Sequence, residues 1–372
     1  MKRLLAILIA ISCIGCNSKD NCYYQRPIDI NDGLRVSTLE KYNLNKVVFD
    51  KINQDICNGK YGNIHSLLVI VNNDLVIEQY YNGWERDHAH FLASNTKSVT
   101  SFLIGKAIDQ GKIKDVNQKV LSFFPEFSAN EKDTLKQQIS IKNLLTMTAG
   151  LKWDDETQLH ILQHSNNRLD IAITQPMDTI PGTKYAYSSA NSIILSEIIK
   201  KTTGQDIAEF AEKNLFEPLG IKEYEWSSRN GIYDSYGGLK LIPRDIAKFG
   251  LLHLNKGKWK DKTIISQKWI EETFSPYIEI NHPFYSCYQW QMSKTDLGFD
   301  VWFIPGNGGQ IINIVPALDM VIVVNADNRG RSLEDRTPLI HLLQNIITVH
   351  PKLSQRNYAN YSSKIPDYDR NY

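Results

Sequence analysis

Segments with the pattern of β-strands lie in two groups far apart in the chain, and this separation constrains the fold more than any other feature. Two apolar runs, residues 65–71 and 75–81, flank the turn-forming residues 72–74 and predict a β-hairpin. Strand signals return at residues 302–304, 310–315 and 320–325, followed by a helical pattern at about 337–349. We therefore expect one antiparallel sheet assembled from both ends of the chain.

The middle of the chain has helical periodicity instead, best developed at residues 141–147, 192–202, 207–215 and 243–254. The fold class expected from this order is α+β, with helices flanking the sheet and a mostly helical lobe inserted into it. Because 372 residues exceed what one core usually supports, we expect two lobes. We assign residues 37–115 and 255–350 to a discontinuous α/β lobe, 116–254 to the helical lobe and 351–372 to a poorly ordered polar tail.

The first residues have the pattern of an export signal. Lys2 and Arg3 precede an apolar run of eleven residues, 4–14, which is too short to span a bilayer. The run ends in Ile14-Gly15-Cys16, which resembles the lipobox of bacterial lipoproteins, although Cys13 stands where Leu is usual. This resemblance predicts removal of residues 1–15, a lipid and hence a membrane anchor on Cys16, a tether at 16–36 and a place in the bacterial cell envelope. The alternative is an ordinary secretory signal that is cleaved nearby.

Charge and cysteine content narrow the possible partners. Without residues 1–15 the chain has 40 Lys plus Arg (42 minus Lys2 and Arg3) against 41 Asp plus Glu, with no basic stripe, so nucleic acid is not an expected partner. In an oxidising compartment Cys22 and Cys57 could form a disulfide that pins the N-terminal segment and leaves Cys287 single, but the sequence does not fix this pairing.

A serine and a lysine at helical spacing give the strongest chemical signal. Ser94 precedes Lys97 by three residues, and apolar residues continue the helical spacing from Val99 onward. Both side chains therefore lie on one face at the start of a helix, where the N-terminal potential favours an oxyanion. A lysine that loses solvation there can act as the base that activates the serine hydroxyl.

The order of motifs around this pair resembles that of the penicillin-recognising serine hydrolases related to class C β-lactamases. The second motif is Tyr187-Ser188-Ser189, where the family usually has Tyr-x-Asn, and the third is the stretch 306–310, Gly-Asn-Gly-Gly-Gln. Flanking stretches at 144–150, 215–221 and 237–245 also match. The sequences of these motifs and flanking stretches are most similar to the branch of 6-aminohexanoate-oligomer hydrolases and carboxylesterases. The resemblance implies a β-lactamase/transpeptidase-like fold.

The resemblance also implies roles for the motif residues. Lys97 and Tyr187 are expected to handle protons for Ser94 as one titrating pair, in which ammonium and phenolate stabilise each other. Main-chain N–H groups of Ser94 and Gln310 are the expected oxyanion hole, with Gly309 allowing close approach and Asn307 contacting the substrate. For Ser189 two interpretations remain, a polar contact to Lys97 or the substrate, or a loop residue.

The leading interpretation is thus a serine hydrolase that cleaves a small ester or amide through an acyl-enzyme on Ser94, without a cofactor. The first alternative is a β-lactamase or D-Ala-D-Ala peptidase, which the neutral Asn307 disfavours because those enzymes use a cation at that position. The second is a non-catalytic sensor with the same fold. The intact Ser94, Lys97 and Tyr187 disfavour it.

The histidines that could suggest a metal site are expected to be structural, and two tryptophans are expected at the pocket. His160 and His164 are four residues apart, but no third ligand is apparent, so we expect a surface pair and no metal site. His88 and His90 precede the Ser94 helix and are assigned structural roles. Of the tryptophans, Trp290 and Trp302 are the expected pocket residues because they lead into the third motif.

Overall fold

The computed structural model describes residues 22–128, 132–295, 298–330 and 337–354. The helices in these ranges are α1 Lys46–Cys57, α2 Thr96–Asp109, α3 Pro125–Ser128, α4 Ile141–Leu145, α5 Asp155–His164, α6 Arg168–Ile173, α7 Ser189–Thr203, α8 Ile207–Ala211, α9 Glu217–Leu219, α10 Pro243–Leu254, α11 Gln267–Thr273, α12 Thr337–Thr348 and α13 Pro351–Ser354. No helix in the described ranges combines the length and the apolar character needed to cross a membrane.

The main sheet has nine strands in the order β1-β3-β2-β16-β15-β14-β13-β12-β11. Its strands are β1 Arg35–Val36, β2 Ile64–Val71, β3 Asp74–Tyr80, β11 Ile278–Asn281, β12 Phe284–Ser286, β13 Gln291–Lys294, β14 Asp300–Gly306, β15 Gln310–Val315 and β16 Met320–Ala326. The short strands outside it are β4 His90–Phe91, β5 Glu225–Trp226, β6 Ser228–Arg229, β7 Ile232–Tyr233, β8 Leu239–Leu241, β9 Lys258–Trp259 and β10 Lys262–Thr263. All neighbours in the main sheet are antiparallel except β1 and β3.

The sheet joins the two ends of the chain, as the sequence predicts. β2 from the first group of strand segments pairs with β16 from the second, with Val69 opposite Ile322. The predicted hairpin is also confirmed, and its turn is made by Asn72 and Asn73, which both have positive φ. The predicted α+β class is therefore confirmed in these residues.

Alternation along the strands divides the core in two. Leu67, Val69 and Val71 of β2 pack in a cluster with α1 and α12, whereas Leu68 and Ile70 pack in the larger cluster on the opposite face. The larger cluster includes apolar residues of α2, α7 and α10. The helix that begins beside Ser94, α2, contacts α7 and, through Phe102 and Phe249, α10, and α10 in turn lies against the sheet.

The predicted lobe boundary at residue 254 differs from the observed packing. α10, which was assigned to the helical lobe, lies against β15 and β16, and a Cβ on Gly250 would contact Val321 and Ile312. Helical periodicity identified α10 correctly, but periodicity alone does not show which lobe covers the apolar face of a helix.

Residues 22–36, which belong to the predicted tether at 16–36, pack against the α/β lobe. Cys22 forms a disulfide with Cys57, with Cα atoms 5.9 Å apart, and Cys287 is the free, buried cysteine of the described residues. The fully buried Arg244 donates to the carboxylate of Asp32 at 2.8 and 3.1 Å and to the carbonyl of Ile28 at 3.1 Å. Residues 1–21, including Cys16, lie outside the described residues.

Candidate active site

Ser94 is presented by a tight turn that leads into α2. Leu92 donates its N–H to the carbonyl of Leu239 at 2.9 Å, and the chain then turns through a short 3₁₀ helix, Ala93–Asn95. Ala93 has φ of 48°, a left-handed conformation that is uncommon outside glycine. Such local strain persists only where the surroundings impose it, and it commonly marks functional sites.

The three side chains that the sequence singles out as catalytic meet at one point. The Oγ atom of Ser94 lies 2.7 Å from the hydroxyl of Tyr187, and Lys97 donates from Nζ to Ser94 Oγ at 3.2 Å. Lys97 also donates to the carbonyl of Tyr236 at 3.0 Å. The serine hydroxyl therefore contacts both groups that could take up or return a proton.

Burial sets the protonation of this cluster. Only 3% of Lys97 is exposed, and this burial lowers the pKa of Lys97 to about 8, with the negative charge of Asp155 acting in the opposite direction. Burial of the Tyr187 hydroxyl raises the pKa of that phenol, and the charge of Asp155 raises it further. The favoured state is therefore an uncharged phenol beside a lysine that deprotonates readily, whereas the sequence leaves the position of the proton open.

A cavity of about 30 Å³ opens beside Ser94, enough for a few water molecules or a short acyl group. Its walls are formed by Ser94, Lys97, Met147, Tyr185, Tyr187, Ser286, Gln289, Trp290, Gln291, Ile304 and Pro305. Of these described residues, Lys97 alone carries a formal charge when protonated. The ten other lining residues are uncharged.

The third motif, residues 306–310, is not positioned beside Ser94 in the way that the sequence predicts. Ile304 and Pro305 of β14 line the cavity, whereas Asn307, Gly309 and Gln310 are not among the described residues that do so. Asn307 is an exposed turn residue, and Gln310 donates from its side chain to the carbonyl of Ala326 on β16. The strand that approaches Ser94 is β14, one strand earlier in the chain than the predicted one, because β14 and β15 form a hairpin whose turn holds the glycines.

Ser189 also departs from its predicted contacts. Its hydroxyl donates to the carboxylate of Asp155 at 2.7 Å, and its main-chain N–H donates to the same carboxylate at 2.9 Å. Ser189 is the first residue of α7, so neither the contact to Lys97 nor the loop position is found. Asp155 had no signal in the sequence, because its role depends on where α5 packs.

Of the remaining singled-out residues in the described part of the chain, Trp290 lies at the cavity and the others do not line it. His160 and His164 are exposed on α5, and buried His90 contacts His65 through ring nitrogens 2.9 Å apart. Trp290 lines the cavity as predicted, but Trp302 stacks on Phe274 and donates to its carbonyl at 2.8 Å. Sequence analysis missed Met147 and Tyr185 because isolated apolar and aromatic residues carry no motif.

Comparison with known proteins places this geometry in a family. A model of the Beta-lactamase family matches residues 65–345. The 6-aminohexanoate-dimer hydrolase of Paenarthrobacter ureafaciens is 26% identical over 230 residues, 56% of this chain and 57% of that protein. The N-acetylmuramyl-L-alanine amidase of Bacillus subtilis (strain 168) is 29% identical over 140 residues, 35% of this chain and 32% of that protein. The chain thus spans between about a third and just over half of the length of these curated relatives.

The solved structures agree on the fold. A class C beta-lactamase mutant superposes with a TM-score of 0.66 at 17% sequence identity, over 82% of this chain and 96% of that one. At this identity the likeness concerns the fold alone, which is the β-lactamase/transpeptidase-like arrangement of a sheet with helices that the sequence predicts. The family match extends from β2 to α12 and contains the whole Ser94 cluster. The chain therefore belongs to the beta-lactamase family.

Proposed function

We propose that the protein is a serine hydrolase that cleaves uncharged esters or amides through an acyl-enzyme on Ser94. The observation that carries this proposal is the pair of contacts from Ser94 Oγ, 2.7 Å to Tyr187 and 3.2 Å to Lys97, at the wall of a cavity. A serine hydroxyl needs an adjacent base to become nucleophilic, and a lysine with a pKa of about 8 supplies one near neutral pH.

The proposed reaction has two halves. Uncharged Lys97 takes the proton of Ser94 as Oγ attacks the substrate carbonyl, and the Lys97 and Tyr187 pair returns a proton to the departing alcohol or amine. Water then attacks the acyl-enzyme by the reverse proton movements and releases the acid. Each proton transfer of this kind contributes roughly 100-fold to 10,000-fold in rate.

The oxyanion is assigned to main-chain N–H groups. One is the N–H of Ser94 at the start of the helix. Because β14 lines the cavity at Ile304 and Pro305, and proline has no N–H, the second donor is Ile304 or Gly306 rather than Gln310. Gly306 suits a close approach, since a Cβ there would lie 2.9 Å from the carbonyl of Leu92.

Labelling with a fluorophosphonate probe tests the function directly. The wild-type protein should gain one adduct, and peptide mass spectrometry should locate it on Ser94. The matched control is Ser94→Ala, which should remain unlabelled while unfolding at the wild-type temperature. Labelling at a different serine, or no labelling of folded wild-type protein, would refute the proposal.

The substrate class follows from the charges near the cavity. Arg329 forms an ion pair with Asp327 at 2.8 Å, and Lys294 lies 5.0 Å from the ring centroid of Tyr285. Neither cation lines the described cavity, so a substrate carboxylate would lack the charged partner that a β-lactam requires. A charged hydrogen bond contributes roughly 1.5–3 kcal/mol against about 1 kcal/mol for a neutral one, so the deficit corresponds to about 10-fold.

We accordingly predict that kcat/KM is about 10-fold higher for a short-chain nitrophenyl ester or a linear aminohexanoyl amide than for a chromogenic cephalosporin. All three substrates are compared on one preparation, with Ser94→Ala as the background. A cephalosporin that is the best substrate would instead support the β-lactamase alternative.

The cellular location is part of the proposal and rests on the sequence of residues 1–16. Cleavage before Cys16 and lipidation of that cysteine would anchor the hydrolase in the bacterial envelope. A Cys16→Ser variant should lose incorporation of labelled fatty acid and move to the soluble exported fraction. Membrane association that persists without incorporated lipid would refute the anchor.

A further inference from the structure

A carboxylate on α5 contacts the segment that carries Tyr187. Asp155 is the first residue of α5, and its carboxylate accepts hydrogen bonds from the N–H and the hydroxyl of Ser189 and from the indole N–H of Trp153. Several donors converging on one carboxylate fix its position. Ser189 follows Tyr187 by two residues, so this contact lies directly beside the proposed proton donor.

The contact also completes the start of α7. The residue before the helix, Ser188, makes no capping hydrogen bond with its side chain. The first N–H groups of a helix lack partners within the helix, and Asp155 supplies an acceptor to the N–H of Ser189 from a different helix. A negative charge at this end is also favoured by the helix dipole.

We propose that Asp155 is a positioning residue for acyl transfer, which fixes the Tyr187 segment through Ser189 and places a negative charge beside the Lys97 and Tyr187 pair. This inference rests on the proposed function. Asp155 does not touch the reacting atoms in the proposal, and it acts through Tyr187 and through its charge.

The negative charge of Asp155 allows its effect on Lys97 to be tested separately from its hydrogen bonds to Ser189. The ionisable groups that face Lys97 are Tyr187, Tyr236 and Asp155, and Asp155 is the carboxylate that raises the pKa of Lys97 against the larger opposite effect of burial. Removing this charge should lower the pKa of Lys97, so the uncharged amine should form at lower pH.

The experiment measures the rate constant of Ser94 labelling by a fluorophosphonate against pH, in the wild type, Asp155→Asn and Ser189→Ala. Asparagine keeps the size and one acceptor of Asp155 but removes the charge. In Asp155→Asn, we expect the rising part of the curve of rate constant against pH, its acidic limb, to move to lower pH by at least several tenths of a unit. The maximum rate constant at high pH should be about 10-fold below that of the wild type, because Tyr187 is held less firmly. Ser189→Ala retains the charge, so its limb should coincide with that of the wild type.

The outcomes separate this inference from the proposed function. Wild-type protein that is not labelled at Ser94 overturns both. Two results overturn the role of Asp155 alone when the wild type is labelled at Ser94. One is an acidic limb in Asp155→Asn that coincides with that of the wild type, and the other is an equal shift of the acidic limb in Ser189→Ala. If Asp155→Asn does not unfold cooperatively, Asp155→Glu is measured instead, and a limb displaced from the wild type in that charge-retaining variant also overturns the role.

Discussion

At the scale of single residues, the hydroxyl of Ser94 contacts both Lys97 and Tyr187, and burial shifts the pKa of each partner. The three-residue separation of Ser94 and Lys97 was sufficient to predict that their side chains meet at a helix start, and the resemblance supplied Tyr187. The state of the protons could not be predicted, because it depends on how completely Lys97 is enclosed. The partners of Ser189 and Gln310 could not be predicted either, since they depend on packing between distant elements.

The shared contacts of Ser94 lead to a prediction about Lys97 and Tyr187. If the two side chains act as one proton-handling unit, Lys97→Ala, Tyr187→Phe and the double variant should each lose activity by a similar factor, roughly 100-fold to 10,000-fold. The measurement is kcat/KM with the best ester substrate. A double variant whose loss is the product of the two single losses would show independent contributions.

At the scale of elements, long periodic segments were predictable and short paired strands were not. α10 and β15 have the predicted bounds, because α10 has apolar residues at helical spacing and β15 is a short run rich in β-branched residues. β11, β12 and β13 were missed. They have four, three and four residues and include polar side chains, so pairing with neighbours rather than local pattern makes them strands.

The packing of α2 gives a prediction at this scale. Gly105 lies inside α2, where glycine is normally unfavourable, but a Cβ at this position would overlap the indole ring of Trp269. We expect Gly105→Ala to lower the free energy of unfolding by roughly 1–3 kcal/mol, although alanine is the better helix former. The measurement is urea unfolding, with Trp269→Leu as the second background, in which the smaller side chain should reduce the cost. A more stable Gly105→Ala protein would contradict the packing argument.

At the scale of the whole molecule, the order of segments predicted the architecture. Buried polar contacts determine how the N-terminal segment is attached to it. Strands from both chain ends form one sheet, as expected. The boundary at residue 254 was not found, because the sequence does not show which lobe α10 covers. The contact of buried Arg244 with Asp32 in the tether could not be predicted either, since it joins residues far apart in the chain. These contacts fix residues 22–36 to the α/β lobe.

Buried histidines predict how the stability of the whole molecule depends on pH. Burial lowers the pKa of His253 to about 4, as it does for His65, whereas an unfolded chain binds these protons near pH 6.5. The unfolded state therefore binds more protons between these values, and the free energy of unfolding should fall as pH decreases from about 6.5 to about 4. For His253 alone the loss approaches about 3 kcal/mol.

The measurement is urea unfolding at several pH values. His253→Phe keeps an aromatic ring among Phe102, Phe249 and Trp290 and should give a flatter dependence than the wild type. His160→Gln, at an exposed position, is the matched control and should leave the dependence unchanged. Equal slopes in all three proteins would show that His253 is not a source of the dependence.

We propose above all that Lys97 acts as the base for Ser94. The direct test is the rate constant of fluorophosphonate labelling of the wild type, measured as a function of pH. We predict that the rate constant rises about 10-fold per pH unit below the pKa of Lys97, levels off near pH 8 and is constant above it, with the adduct on Ser94 throughout. A rate constant that does not change with pH between about 7 and about 9, one unit on either side of that pKa, would contradict this role of Lys97.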